Sequence, residues 1–156
     1  MTITLTSKID GFGLSAISAE PKGAPIGGVV VIQEIFGLTD HIEEICGVFA
    51  DAGYHAIAPS LFDRVEKGVE LGYDVEDRPR AMDLRGRTKI EDTLADIAAA
   101  IETAKEGGKV GVVGYCWGGT LAYAAACRLP GLAAAVGYYG GGIAGIASEK
   151  PRIPLM

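Results

Sequence analysis

The stretch Lys109-Val-Gly-Val-Val-Gly114-Tyr115-Cys116-Trp117-Gly118-Gly119 decides the fold. An apolar run breaks at a glycine-flanked cysteine and passes into an alanine-rich segment. That order predicts a strand, a sharp turn and a helix, with the central side chain projecting beyond the carboxyl end of its strand, among the first free N–H groups of the helix. The turn drives its central residue toward a strained backbone conformation, and Cβ atoms two residues to either side would collide with its neighbours. Gly114 and Gly118 occupy those two positions. A thiol is nucleophilic as its thiolate, and the positive end of a helix dipole favours that anion. Cys116 is therefore the candidate nucleophile, weighed against the commoner fate of cysteine as a small buried apolar residue.

Upstream, Gly28-Val29-Val30-Val31-Ile32 is a continuous β-branched run, as expected of a strand buried on both faces. Gln33 to Leu38 follows as a loop. Asp40 and Glu43 form a candidate capping pair for a helix with Ile42, Ile45 and Phe49 on one face, ending near Gly53. His55 to Pro59 reads as the next strand. Before these, stretches around Ile3 to Thr6 and Phe12 to Ile17, separated by Asp10-Gly11, predict an antiparallel hairpin. Ile90, Leu94, Ile97 and Ile101 recur at helical spacing up to Gly107-Gly108. Residues 63–92 hold 16 of the 34 formally charged residues and read mostly as a solvated excursion. Leu132 to Tyr138 is a further short strand, and Ile153 to Met156 looks like the opening of another. Such alternation implies right-handed β-α-β units: an α/β fold with a mostly parallel sheet flanked by helices, in one domain over residues 1–156.

Composition narrows the partners. A chain of 156 residues, 49% hydrophobic, suffices for one domain with a real core. A net charge of −6 with no Lys/Arg block argues against a nucleic-acid partner and leaves a small molecule as the expected ligand. Cys46, Cys116 and Cys127 have neither metal-type spacing nor an even count, so neither a zinc site nor a disulfide framework is expected. Cys46 and Cys127 fall in helical segments and read as core. The start lacks the apolar block of a signal peptide, and the uncharged run from Leu129 to Ser148 is broken by Pro130 and glycines; a cytoplasmic protein outside the membrane is expected.

Ligands of open parallel sheets gather beyond the carboxyl ends of the strands. That rim holds the Glu34 loop, the segment after Pro59, and Cys116. Acyl transfer needs two backbone N–H groups for the oxyanion, one from the residue after the nucleophile and one from the loop after the earlier strand. Trp117 and Ile35 stand at those places. Glu34 directly follows a buried strand, which gives it a site role or, as the default, that of a solvated loop acid.

At this point the sequence resembles the dienelactone hydrolases of the α/β-hydrolase superfamily. The resemblance rests on Gln33-Glu34-Ile35-Phe36-Gly37, Ala58-Pro59-Ser60-Leu61-Phe62, Gly114-Tyr115-Cys116-Trp117-Gly118-Gly119 and Val136-Gly137-Tyr138-Tyr139-Gly140, in the family's order over nearly the whole chain. It implies a Cys116 nucleophile, a Glu34 carboxylate that helps generate the thiolate, and oxyanion-hole amides from Ile35 and Trp117. It implies a small-molecule ester or lactone substrate bearing a carboxylate, held by arginine, and no cofactor or metal. Arg78 aligns with the first such arginine, and Arg80 is the alternative. Met82 stands where the family has an aromatic residue, and Trp117 where it has a smaller one.

The family's triad continues with an Asp and a His beyond the point where this sequence ends, so the expectation is the N-terminal portion of a longer hydrolase, completed by a C-terminal fragment or second chain. Of the two histidines, His55 opens a strand away from Cys116 and reads as structural, while His41 lies on the correct rim but matches no catalytic position. Two rival readings differ in what they require of the chain. A dinucleotide-binding module fails because Gly114 to Gly119 does not meet G-x-G-x-x-G. A non-catalytic or redox-sensing protein would keep a reactive Cys116 without the triad base.

Overall fold

The computed structural model describes residues 1–156. Its strands are β1 (Thr2–Thr6), β2 (Gly13–Ala19), β3 (Gly27–Ile32), β4 (Tyr54–Pro59), β5 (Val110–Tyr115) and β6 (Leu132–Tyr138). They form one sheet in the order β1-β2-β4-β3-β5-β6. β1, β2 and β4 pair antiparallel, whereas β4, β3, β5 and β6 run parallel. The hairpin is thus the antiparallel margin of a parallel sheet.

The unbroken apolar reading of β3 follows from its central place. Val30 and Ile32 face a large cluster under α3 (Ile90–Ala104) and α4 (Trp117–Arg128). Val29 and Val31 face a smaller one with Ile42 and Cys46 of α1 (Asp40–Asp51). Every residue of β3 is buried, so period-two alternation has no polar face to reveal it. Residues Pro154–Met156 lie in parallel register beside β6: Ala135 N–H donates to the Pro154 carbonyl at 3.0 Å, and Gly137 N–H donates to that of Met156 at 2.9 Å.

Two sequence expectations change, and a third is filled in. Thr39, not Asp40, is the N-cap of α1, and no side chain caps the helix; Asp40 and Glu43 lie in its first turn, where their charge favours the dipole. Ile90 is 38% exposed, so the buried stripe of α3 starts at Thr93 and Leu94. The charged excursion is mostly exposed, as read, but it is not without structure: it carries α2 (Arg78–Arg87) and buries Asp63, Val69, Leu71, Ala81 and Leu84. Arg64 ties it to the rest of the molecule. Its Nε and Nη2 each donate to Asp96 at 2.8 Å, and its Nη1 donates to Asp10 at 2.6 Å.

Candidate active site

The turn after β5 builds the site. Cys116 has φ 55° and ψ −118°, a positive-φ conformation that L-residues adopt only when their surroundings enforce it. The enforcement is backbone contact. A Cβ on Gly114 would stand 1.9 Å from the Gly118 carbonyl oxygen, and one on Gly118 would stand 2.5 Å from the carbonyl oxygens of both Ile32 and Gln33. Strand β5, helix α4 and the end of β3 therefore meet without side chains between them. Cys116 N–H donates to the Tyr138 carbonyl at 3.0 Å, which ties the turn to β6.

The second wall is the loop after β3. Gln33 is fully buried, and its Oε1 accepts from Leu61 N–H at 3.0 Å while its Nε2 donates to the Glu34 carbonyl at 3.2 Å. One amide thus fixes the Glu34 backbone against the segment after Pro59. The Glu34 side chain is 9% exposed and accepts from the Tyr73 hydroxyl at 2.7 Å. Tyr73 is held by Thr39 Oγ1 at 3.3 Å and by the Phe36 ring at 4.7 Å. Burial pushes the Tyr73 phenol up to about 12, with the Glu34 carboxylate adding to the rise and the Thr39 contact opposing it. Tyr139, at φ 42°, closes the same side; burial raises its phenol, as do the neighbouring charges of Glu34 and Cys116.

Glu34, Ile35, Phe36, Tyr73, Arg78, Met82, Cys116 and Tyr139 line one cavity of ≈ 580 Å³. An adjoining cavity of ≈ 240 Å³ shares Ile35, Met82 and Cys116 and adds Arg85, Trp117 and Thr120. The Ile35 N–H donates to no backbone carbonyl. Trp117, the first residue of α4, carries one of the helix's unsatisfied N–H groups. Its indole is buried, stacked on Phe62 with centroids 5.3 Å apart.

All five candidate residues thus border this double cleft. The two candidate arginines are placed differently: Arg78 lines the larger cavity, whereas Arg80 pairs with Glu66 on the surface. Neither histidine borders either cavity. His55 is buried with Nε2 3.0 Å from Ser18 Oγ, and His41 is exposed, its ring edge-on to Tyr115. Cys46 and Cys127 are buried, as expected of core cysteines, and burial raises both thiols. A separate apolar groove of ≈ 370 Å³ between Phe49 and β5 contains none of the candidate residues.

Sequence reading missed Tyr73, Tyr139 and Arg85. Tyr73 is an isolated aromatic among charges, and nothing local marks it. Arg85 lies seven residues after Arg78, on the same helix face, but α2 carries Pro79 and Gly86 and has little apolar patterning to announce a helix.

This geometry agrees with what the chain is similar to. The model of the dienelactone hydrolase family matches residues 14–155. A carboxymethylenebutenolidase of Pseudomonas putida is 36% identical over 149 residues, covering 92% of this chain and 63% of that protein. Carboxymethylenebutenolidase 1 of Cupriavidus pinatubonensis is 37% identical, covering 97% and 66%. The chain therefore spans under two thirds of the length of these relatives. Among solved structures, one from Klebsiella pneumoniae, provisionally designated a dienelactone hydrolase, superposes with a TM-score of 0.74 at 30% identity, covering 90% of this chain and 60% of that one. With an elbow at Cys116, a parallel sheet beneath it and a family match from β2 to the last strand residues, the chain belongs to the dienelactone hydrolase family.

Proposed function

We propose that the whole protein hydrolyses a carboxylic ester or lactone bearing a carboxylate, with Cys116 as nucleophile. The observation that carries this reading is the shared cavity in which a strained, helix-capping cysteine meets Glu34, Ile35 and Arg78. Glu34 takes the thiol proton, and the thiolate attacks the carbonyl carbon. The oxygen gains the negative charge between the amides of Ile35 and Trp117, where preorganised donors count most. Collapse expels the alkoxide or enolate, which takes up a proton, and leaves a thioester on Cys116 that water cleaves to the acid and free thiol. Arg78 presents a two-pronged donor to the substrate carboxylate.

Deacylation calls for a group that activates water, and neither His41 nor His55 lines the cleft. We assign that role to a residue outside these 156, in keeping with the greater length of the relatives. The test uses the whole protein with aryl esters and carboxylated enol-lactones. Cys116→Ala should abolish turnover and Glu34→Gln should lower kcat strongly. Turnover that survives Cys116→Ala overturns the reading, and a reactive Cys116 without any ester or lactone turnover would favour a redox role.

A further inference from the structure

Helix α2 carries four arginines, and they divide in two ways. Arg80 pairs with Glu66 and Arg87 with Asp83, both on the surface. Arg78 and Arg85 have no carboxylate within ion-pair distance, and each lines a cavity that also contains Cys116. Met82 lies between them and borders both cavities. Positions 78, 82 and 85 stand at i, i+4 and i+7, which puts them on one stripe of the helix. Their seven-residue separation corresponds to about 10 Å along the axis. The thiol thus lies where two cavities meet, with an unpaired guanidinium for each.

An unpaired guanidinium at a cavity wall is a site for an anion, because its planar fork satisfies two carboxylate oxygens at once. Arg85 is half-buried, with less water to compete for its donors than at Arg78. The smaller cavity has no carboxylate side chain, and its Thr120 hydroxyl accepts from Gly142 N–H at 3.1 Å. The Cys116 thiol is the one group there that can become an anion, and no carboxylate shares the cavity with the arginine.

Resting on the hydrolase reading above, we propose that Arg85 forms a second anion subsite, so that the preferred substrate is a dianion with one carboxylate on each side of the scissile carbonyl. Arg78 holds one and Arg85 the other. Met82 packs against the apolar part between them. A substrate with a single carboxylate leaves one guanidinium unmatched and binds more weakly.

The test reads Cys116 alkylation by iodoacetamide, which needs no turnover; Cys46 and Cys127 are buried, so Cys116 is the reporting thiol. Adipate should protect Cys116 at about one tenth of the concentration that hexanoate requires, the gain expected of one further charge-assisted hydrogen-bonded pair. Arg85→Gln should bring adipate to the hexanoate level and leave hexanoate unchanged, and Arg85→Lys should restore part of the difference. Equal protection by the two acids in the wild type, or an adipate preference that persists in Arg85→Gln, overturns the subsite. Ester turnover without any adipate preference would sink this inference alone, and adipate preference without turnover would sink only the hydrolase reading.

Discussion

The elbow can be tested with two alanines placed on one strand. In Gly114→Ala the new Cβ would lie 1.9 Å from the Gly118 carbonyl oxygen and 2.3 Å from its carbon. Both partners are backbone, so no side chain can turn aside; β5 and α4 must separate by roughly 1 Å in a close-packed interior. Overpacking of this kind costs about 1–3 kcal/mol, and a clash between two backbones belongs at the upper end. Gly111→Ala is the matched control, because its Cβ would meet nothing closer than the Ala134 carbonyl oxygen at 3.8 Å. Restricting the unfolded chain should there stabilise by about 0.4–1 kcal/mol. The variants should differ by about 3 kcal/mol, a separation of urea midpoints of about 1–3 M at the m-values of small domains. Iodoacetamide labelling of Cys116 in the native state should change in Gly114→Ala and stay as in the wild type in Gly111→Ala. Midpoints within about 0.3 M of each other would refute the claim that close backbone approach, rather than glycine's flexibility, holds the elbow.

Two further perturbations probe the buried polar framework. Arg64→Met strips the partner from Asp96, which is 1% exposed at its side chain, and should destabilise by about 3–5 kcal/mol. Burial already raises the Asp96 carboxyl, so its charged form is the costly one, and the deficit should shrink as pH falls and the carboxyl protonates; a urea deficit equal at pH 7 and pH 5 would contradict this. For Tyr73, a folded-state pKa of about 12 lies above the ordinary tyrosine value, so the phenol favours the fold while protonated. That contribution is complete below about pH 10 and lost as pH climbs through the raised value. Ultraviolet difference titration should show that Tyr73→Phe removes a late-titrating phenol; loss of one that titrates at the ordinary value would argue against the desolvation of Tyr73 beside Glu34.

What was legible in the sequence followed how locally each feature is encoded. The strands β3 and β5 and the Cys116 turn announce themselves because burial on both faces and close backbone approach impose residue types over consecutive positions. Glu34, Ile35 and Trp117 followed from that turn and from the rim rule for parallel sheets. Helix α2 did not, because it is held by Ala81 and Leu84 against the core while most of its other residues are charged. The pair Glu34 and Tyr73 joins residues 39 apart, through a hydroxyl that no short pattern marks. The Thr39 cap was misassigned for a related reason: its hydroxyl meets Tyr73 instead of capping its own helix.

Trp117 is the chain's one tryptophan, and it sits directly after Cys116, at the head of α4, against the Phe62 ring. Its indole emission therefore comes from a single known place on the wall of the smaller cavity. A ligand entering the smaller cavity, a thioester forming on the sulfur or a loosening of the turn each alters the surroundings of that one fluorophore. The protein carries its own optical reporter, so occupancy of the cleft can be followed in real time, without a label and without a chromogenic substrate.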